Sequence, residues 1–437
     1  MLPLPQRTVK PVLASWGASR DHARRHCRQS GMTTPSPDAS RPPLIEADTP
    51  AFRRANLALF IGGFATFALL YATQPLLPEL SREFGVGPAW SSLAVSAGTG
   101  AMAFMLIPAS VLSDRYGRML LMKWSLMLAA VIALAGAFVT DFTQMIVLRA
   151  LLGCALAGLP AAAMAYLGEE ITPNAQGRAM GLYIGGNALG GMSGRVLGGL
   201  LADFGSWRVA LAVLGVLGIL AAIAFWRALP ASSHFRARSV SPRAVFDDAR
   251  VIFADSHLRW LFACGFLLMG AFFGLYNYAG FRLEATPYNL AQSAIGAIFL
   301  LYLMGSLSSA WAGRLSDRYG RHNVLWAMVV VALLGLATTQ FQPLPVLILG
   351  IALYTFGYFG AHSTCSGWVG RRAGERRALA SALYLSAYYL GSSLVGTFTG
   401  LAWDGGGWTG LTLAVGGCLL AALGLALWMR AMTLKQP

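Results

Sequence analysis

Ser-Asp-Arg-Tyr-Gly-Arg stands at Ser113–Arg118 and again at Ser316–Arg321, each time between two long apolar segments. A polar hexapeptide that recurs once in each half of a chain indicates two related halves. Further landmarks recur 200 or 201 residues apart, close to the 203 residues between the two hexapeptides: Leu182, Tyr183, Gly190, Leu201, Ala202 and Trp207 in the first half, and Leu383, Tyr384, Gly391, Leu401, Ala402 and Trp408 in the second. We therefore interpret the chain as an internal duplication.

The composition is that of a membrane protein. Of the 437 residues, 56% are hydrophobic and 12% are charged, whereas about a quarter of the residues in soluble domains are charged. Apolar runs long enough to cross a bilayer as helices recur from Asn56 onward. We predict twelve such helices, at residues 56–78, 90–112, 120–140, 142–167, 177–202, 207–227, 258–280, 291–312, 323–341, 343–367, 379–402 and 408–430. The predicted fold is an all-α membrane protein with twelve transmembrane helices in two pseudo-symmetric six-helix bundles.

These helices divide the chain into five predicted parts. The N-terminal segment is rich in Pro and Arg without an apolar period, which predicts disorder. Met1 and Met32 are both candidate start residues. The parts are a disordered cytoplasmic tail at 1–50, a six-helix bundle at 51–227, a cytoplasmic linker at 228–257, a second six-helix bundle at 258–430 and a cytoplasmic tail at 431–437. Residues 244–253 of the linker form a predicted amphipathic helix.

The net charge of +15 follows the predicted topology. With the N-terminus placed inside, the Lys and Arg in outer loops are only Arg82, Arg208 and Arg282, while nearly all others lie on the inner side. This asymmetry is the positive-inside pattern, and it predicts that both termini are cytoplasmic. We therefore expect the basic residues to contact the lipid bilayer, and we expect no nucleic-acid partner.

Nothing in the sequence predicts an enzyme. The five cysteines are scattered without metal-ligand spacing, and no helix carries a His-x-x-x-His or nucleophile–base pair. The chain also lacks the phosphate-binding Gly-x-x-x-x-Gly-Lys-Ser/Thr motif, so ATP is not the predicted energy source. We expect no metal, no cofactor and no catalytic residue, and we expect transport energy to come from an ion gradient.

The two repeated turns are candidates for a conformational latch. Gly117 and Gly320 permit the positive φ that a short reversal needs. The acids and arginines can pair with each other or with helix ends in one conformation and separate in another. The candidate latch residues are Asp114, Arg115, Gly117, Arg118, Asp317, Arg318, Gly320 and Arg321.

On these turns the chain resembles the major facilitator superfamily, over Asn56 to Arg430. The superfamily's loop signature is Gly-x-x-x-Asp-Arg-x-Gly-Arg-Arg/Lys, which residues 313–322 match up to the final base, taken by His322. Residues 110–119 match it less completely, because Ser110 replaces the first Gly and Met119 the last base. The resemblance implies that Asp114 and Arg118 lock the inner gate in the outward-open state.

Arg149 in the predicted fourth helix resembles the superfamily's second motif, Arg-x-x-x-Gly, with Gly153. A guanidinium inside a membrane helix is costly, so it marks a transport pathway or a pairing site. The alternative is that the side chain snorkels to the outer interface.

The predicted fifth helix has Gly186, Gly190, Gly194 and Gly198 at every fourth position, a face that another helix can approach closely. With Gly181 and Gly199 these glycines resemble the superfamily's antiporter motif. Arg195 occupies the place of that motif's Pro. We expect Arg195 either to bind an anion or gate the pathway, or to pair structurally with a carbonyl or an acid.

Four short segments resemble a group of bacterial inner-membrane transport proteins in the drug and sugar efflux branch. They are Gln74-Pro75, Glu169-Glu170-Ile171, the residues 190–195 and His362-Ser363. This resemblance implies a location in the bacterial inner membrane, with efflux as the direction of transport.

Proton coupling needs a group that titrates as access alternates. The acids of the membrane portion lie at helix ends, and no acid occurs between Asn56 and Gln74. Asp114 and His362 remain as proton candidates, since imidazole titrates near physiological pH. Polar and aromatic candidates for lining the substrate site are Gln74, Tyr276, Tyr384 and Tyr388.

The sequence therefore predicts a monomeric secondary transporter that works by alternating access. The first hypothesis is proton-coupled efflux of a small drug-like or sugar-like solute. The alternative is proton-coupled uptake of a small organic anion, favoured by Arg149, Arg195 and the missing acid in the first helix.

Overall fold

The computed structural model describes residues 43–237 and 242–434, and these are helical except for short connections and one isolated bridge between Ile45 and Ile171. Residues 1–42 of the predicted N-terminal tail 1–50, residues 238–241 of the predicted linker 228–257 and residues 435–437 of the predicted C-terminal tail 431–437 lie outside the described residues. The start-residue hypotheses Met1 and Met32 therefore also lie outside them.

Six long helices precede the linker. They are α1 Pro50–Tyr71, α2 Leu93–Tyr116, α3 Arg118–Phe138, α4 Phe142–Glu170, α5 Pro173–Phe204 and α6 Trp207–Ala228. Two short helices, Leu77–Phe84 and Pro88–Ser91, connect α1 to α2.

Six more follow it. They are α7 Ser256–Glu284, α8 Gln292–Tyr319, α9 Arg321–Thr338, α10 Leu344–Arg372, α11 at residues 377–406 and α12 at residues 408–434. The helix Arg377–Leu434 is continuous in hydrogen bonding, but Gly407 has φ 55° and ψ −142°, which separates α11 from α12. The linker carries a helix at Pro242–Ala254, where the sequence predicts one at 244–253.

The described residues contain the twelve long helices that the sequence predicts. Ten segments are long and apolar enough to cross a membrane, and one of these, Gly374–Leu434, holds both α11 and α12. The remaining helix is α5, which has 32 residues but many glycines and two arginines, so its hydropathy is lower. The all-α membrane fold is thus confirmed.

The boundaries of α1 differ from the prediction at both ends. The helix begins at Pro50 rather than at residue 56, because Thr49 Oγ1 accepts a hydrogen bond from Phe52 N at 3.2 Å and caps the first turn. Its first turns carry Arg53 and Arg54, so the apolar run that predicts the helix begins only after them. It ends at Tyr71, and a turn then leads into the short helix Leu77–Phe84.

The last residues of the predicted disordered tail are ordered. Ile45 N donates to Glu170 O at 2.8 Å, and Thr172 N donates to Ile45 O at 3.1 Å. Ile45 thereby satisfies backbone groups at the junction of α4 and α5. The segment from Ile45 to Thr49 therefore belongs to the folded part of the chain.

The glycines of both hexapeptides turn the chain as predicted. Gly117 has φ 105° and Gly320 has φ 82°. A side chain at either position would be strained, because L-residues rarely adopt such φ values. Both turns reverse the chain between consecutive long helices.

The glycine face of α5 lies against α1. A β-carbon added at Gly186, Gly190, Gly194 or Gly198 would come within 3 Å of a backbone carbonyl oxygen of α1 or of Ala72, just beyond it. The second half repeats this contact, because a β-carbon at Gly391 of α11 would clash with Phe266 O of α7. Backbone approaches this close require glycine on one side, as in other small-residue helix interfaces.

Candidate functional site

A cavity of about 480 Å³ lies among α1, α5, α7, α8, α10 and α11. Its volume is within the range of about 300–1,000 Å³ that small-molecule sites occupy. Nine of its twenty lining residues are aromatic: Phe67, Tyr71, Phe272, Phe273, Tyr302, Tyr358, Phe359, Tyr388 and Tyr389. Among the described residues that line it, Arg195 carries the one formal charge. The cavity therefore suits a molecule with an apolar body.

The Arg195 guanidinium is buried but not fully bonded. Its Nε donates to Gln74 Oε1 at 2.5 Å, and its Nη1 donates to Gly191 O at 2.6 Å. The described residues supply no hydrogen-bond acceptor for Nη2, and no carboxylate among them forms an ion pair with Arg195. One amino group therefore remains available to an acceptor in the cavity.

Aromatic rings surround the same guanidinium. Arg195 Cζ lies 3.9 Å from the centroid of the Tyr71 ring, 4.9 Å from that of Tyr302 and 5.1 Å from that of Phe299. Ring faces stabilise a cation without neutralising it. Because the surroundings have a low dielectric constant, the uncompensated charge attracts an anion much more strongly than it would in water.

Gln74 connects Arg195 to the second half of the chain. Gln74 Nε2 donates to Asn277 Oδ1 of α7 at 2.7 Å, and both side chains are buried. The described residues offer no acceptor to Asn277 Nδ2. Gln74 is not among the described residues that line the cavity. It is placed to orient the Arg195 guanidinium rather than to contact a ligand.

The three predicted tyrosines occupy different positions. Tyr388 lines the cavity, and its hydroxyl lies 2.7 Å from that of Tyr358. Tyr384 lies behind the cavity wall, where its hydroxyl is 3.0 Å from His362 Nδ1. Tyr276 is also behind the wall and hydrogen-bonds Thr355 at 2.7 Å.

Several residues that line the cavity were not predicted from the sequence. Tyr71 and Tyr302 flank Arg195, and Asn187 and Ser306 add polar groups to the wall. Tyr71 lies at the end of α1, three residues before the predicted lining candidate Gln74. This proximity in the sequence was the one sign that Tyr71 belongs to the site. Nothing in the sequence around Tyr302 distinguishes it from an ordinary interface tyrosine.

Arg149 lies outside this cavity, beside the C-terminal end of α1. Its Nε donates to Ala94 O at 2.7 Å and its Nη1 to Leu69 O at 3.0 Å, and its Nη2 donates to Leu70 O. The side chain is only 5% exposed, so it does not snorkel to the interface. Carbonyls in the last turn of a helix lack intrahelical partners, and Arg149 satisfies two of them.

We predict that Arg149→Lys destabilises the protein by about 2–3 kcal/mol, since the three N–H donors of an ammonium group share one nitrogen atom, whereas the guanidinium reaches the three carbonyls from three nitrogen atoms. Thermal unfolding in detergent measures this effect. Arg178→Lys is the control, because Arg178 makes an exposed ion pair with Asp48. Equal unfolding temperatures for the parent and Arg149→Lys would contradict the assignment.

The two halves meet at the end of the molecule where α1 and α7 finish, which we call the outer end. The residues that carry these contacts belong to several helix pairs. Ser393 Oγ of α11 donates to Ser96 O of α2 at 2.8 Å. Asp203 of α5 accepts hydrogen bonds from the backbone of Gln292 and Ser293 at the start of α8, at 3.0 and 2.8 Å.

An ion pair completes the outer contacts. Arg82 Nη1 lies 2.6 Å from Glu284 Oε2, and this contact joins the short helix after α1 to the end of α7. Hydrogen bonding to Glu284 raises the pKa of the Arg82 guanidinium. Nearby, burial raises the pKa of the Glu79 carboxyl, which accepts a hydrogen bond from Trp207 N. The outer end is therefore closed.

At the opposite end, which carries both hexapeptide turns and which we call the inner end, the first turn is tied within its own half. Arg118 pairs with Asp114 and lies 2.8 Å from Glu169 Oε1 at the end of α4. The Arg118 guanidinium also lies 5.8 Å from the Phe235 ring of the linker. These contacts hold the turn to α4 and to the linker.

The second turn has different partners. Asp317 Oδ1 lies 3.4 Å from Arg371 Nη2 at the end of α10, and both side chains are largely exposed. Arg115 and Arg318 each lie over the neighbouring tyrosine ring. In the described part of the chain, no ion pair at the inner end joins α1–α6 to α7–α12. Among the described residues, hydrogen bonds and an ion pair thus join the two halves at the outer end, whereas no ion pair joins α1–α6 to α7–α12 at the inner end.

Comparison with known proteins agrees with this architecture. Residues 59–394 and 281–437 match the family model described as Major Facilitator Superfamily. The chain is 44% identical over 380 residues to the inner membrane transport protein YnfM of Escherichia coli, covering 87% of this chain and 91% of that protein. It is 43% identical to the uncharacterized MFS-type transporter YybF of Bacillus subtilis, covering 90% and 97%.

Solved structures show the same fold. A bacterial homolog of the human lysosomal transporter Spinster, in an inward-facing and unoccupied conformation, superposes with a TM-score of 0.72 at 17% identity. That match covers 88% of this chain and 96% of the other. The nucleoside transporter NupG also gives a TM-score of 0.72, at 16% identity and with 86% and 99% coverage.

Proposed function

The chain belongs to the Major Facilitator Superfamily of transporters, and we propose that it exports a small amphiphilic organic anion in exchange for protons. The anion binds in the cavity around Arg195, with its apolar body against the aromatic wall. Two six-helix bundles, at residues 51–227 and 258–430, rock about this site to expose it alternately to each side. The bacterial inner membrane is the proposed location, as for YnfM.

The observation that carries this proposal is the state of Arg195. A buried cation is costly unless it is paired or hydrated. Here the protein satisfies two of its nitrogen atoms and leaves Nη2 without an acceptor, beside a cavity large enough for a ligand. A carboxylate can occupy the open position with a charge-assisted hydrogen bond. The aromatic rings then cover the rest of the molecule.

A cationic drug fits this cavity less well. No Asp or Glu is among the described residues that line it, so a ligand cation would face Arg195 without a compensating acid. Like charges at short distance in low dielectric repel strongly. The drug-like solute of the first hypothesis is therefore proposed to be an acid.

The direction of transport rests on α5. Its Gly186, Gly190, Gly194 and Gly198 resemble the antiporter motif, and this favours export. Uptake of a small organic anion is the second candidate, because the same Arg195 serves either direction and α1 carries no acid between Asn56 and Tyr71.

Transport of labelled benzoate in inverted vesicles, with and without an imposed proton gradient, tests both candidate directions. Accumulation driven by the gradient supports export, and no movement of benzoate or longer-chain carboxylates contradicts the proposal.

His362 is the proposed proton-coupling residue. Its ring centroid lies 4.5 Å from that of Tyr388, which lines the cavity, and its Nδ1 lies 3.0 Å from Tyr384 Oη. A change of protonation at His362 would therefore reach the cavity wall directly through Tyr388.

We expect His362→Asn to uncouple transport: benzoate still moves down its own gradient, but a proton gradient no longer drives its accumulation. Both modes are measured in the same vesicles. His257→Asn is the control, since His257 is buried against Trp368 at the inner end of α7, away from the cavity. Normal proton-driven accumulation by His362→Asn would contradict this role.

The turn at Asp114 is proposed to act as a latch on the inner gate, as are the equivalent residues around Asp317. We expect Asp114→Asn to favour the inward-open state, because the carboxylate proposed to hold the inner gate shut in the outward-open state is lost, whereas Arg118 keeps Glu169 as its partner in the inner-end contacts described above. A cysteine at Ser306, which lines the cavity, should then react faster with N-ethylmaleimide.

Asp317→Asn in the same background is the comparison, with a similar but not necessarily equal effect expected. The exposed Asp317 makes one longer contact with Arg371, and the two turns contact different helices. Unchanged labelling and transport in Asp114→Asn would rule out the latch.

A further inference from the structure

Helices α5 and α8 touch at their outer ends and then separate. A β-carbon at Gly199 would lie 3.0 Å from Gly296 Cα, and Asp203 caps the start of α8. From Tyr302 onward, α8 packs against α9 and α10 instead. The space between the two helices therefore widens toward the inner end.

The cavity extends into this gap. Ile184 and Leu189 of α5 and Leu303 of α8 line it, and they are 55%, 39% and 50% exposed. Ala188 and Ser306 complete the edges, and no charged residue of the described chain lies among them. An exposed apolar rim continuous with a cavity favours passage of an apolar group rather than of a hydrated ion.

The equivalent helices α2 and α11 are hydrogen-bonded to each other at their outer ends. Ser393 Oγ donates to Ser96 O at 2.8 Å, and Thr397 Oγ1 donates to Ser96 Oγ at 2.7 Å. A β-carbon at Gly100 would lie 2.6 Å from Ser393 Oγ, so the Ser393 side chain packs directly against α2 at this point. No residue of α2 is among the described residues that line the cavity. The described lining of the cavity thus reaches the surface between α5 and α8, and it includes no residue of α2 on the opposite side.

We propose that the gap between α5 and α8 is a lateral entrance through which an amphiphilic carboxylate with an alkyl chain enters the cavity directly from the bilayer. The proposal rests on the proposed function, since the occupant is chosen by its charge complement to Arg195. The carboxylate binds the open Nη2 of Arg195, and the chain lies along Ile184 and Leu303. Such a molecule partitions into the membrane, so entry from lipid avoids returning its chain to water.

Photolabelling of the full-length protein tests this route. The protein is reconstituted in phosphatidylcholine vesicles with a palmitate that carries a diazirine on its chain, irradiated, and mapped by mass spectrometry. We expect adducts on α5 at 184–189 and on α8 at 302–306, and excess decanoate should remove most of them. Labelling of the α2–α11 seam to the same extent, or adducts at α5 and α8 that decanoate does not reduce, would overturn the proposal.

A second experiment separates this route from the site itself. In Leu303→Trp the entrance is narrower, so the rate of decanoate transport relative to that of benzoate should fall. Leu307→Trp is the matched control, because Leu307 is 63% exposed on α8 and does not line the cavity. An equal loss for both acids would refute lateral entry while leaving the anion site intact. Failure of the parent to bind either acid would instead refute the proposed function.

Discussion

Gly190→Leu is expected to abolish transport. A β-carbon at this position would meet Phe64 O and Phe64 C of α1 at distances that atoms do not adopt, and the obstacle is backbone rather than a movable side chain. The two helices would have to separate, which costs at least about 1–3 kcal/mol and forfeits contacts that lipid does not replace. Transport and thermal unfolding at matched membrane abundance measure the effect, and Gly194→Leu should behave alike.

Gly181→Leu is the matched control on the same helix. Apart from the backbone of α5 itself, no atom of the described residues lies within 4 Å of a β-carbon there, so the β-carbon would enter open space. Replacing glycine in a helix also gains about 1 kcal/mol of helix propensity, so this variant should be at least as stable as the parent. Full activity of Gly190→Leu would show that the close approach to α1 is not required.

Arg195→Gln is expected to cause the second large loss. Removing one partner of a buried charge pair costs about 2–5 kcal/mol, which is about thirtyfold or more in affinity for the anion. Arg195→Lys should also impair binding although the charge remains, because lysine lacks the planar fork that reaches Gln74, Gly191 and a ligand together. Arg195→Pro should restore the usual antiporter bend without restoring recognition of the substrate.

The matched control for this series is Arg208→Gln. Arg208 is an exposed arginine at the outer end, where it lies 2.6 Å from Glu83, and it does not line the cavity. Its loss should leave benzoate transport close to that of the parent. Transport by Arg195→Gln at the parent rate would make Arg195 a structural residue.

The sequence was sufficient for the parts of the fold that depend on local pattern. Apolar length predicted the twelve helices, and the hexapeptide predicted the positive φ of Gly117 and Gly320. The four-residue glycine period predicted a close helix contact on α5, although it did not identify α1 as the partner. That identity depends on tertiary packing, which no local pattern encodes.

The two membrane arginines show where sequence reasoning ends. Arg149 and Arg195 are each a single cation in an apolar helix, and the sequence predicted pathway or pairing roles for both. In the structure Arg149 donates to three backbone carbonyls, whereas Arg195 has an open amino group beside a cavity. The two arginines differ because Arg149 faces the C-terminal end of α1, whereas Arg195 faces the rings of Tyr71 and Tyr302. These partners come from distant parts of the chain.

Binding of labelled benzoate to the purified protein tests the central claim most directly, because it needs no assumption about direction or coupling. Parent, Arg195→Gln and Arg208→Gln are compared by equilibrium dialysis in detergent at equal protein concentration. We expect saturable binding by the parent and by Arg208→Gln, and a loss of about thirtyfold or more in affinity for Arg195→Gln. Equal affinity of the parent and Arg195→Gln for benzoate would contradict it.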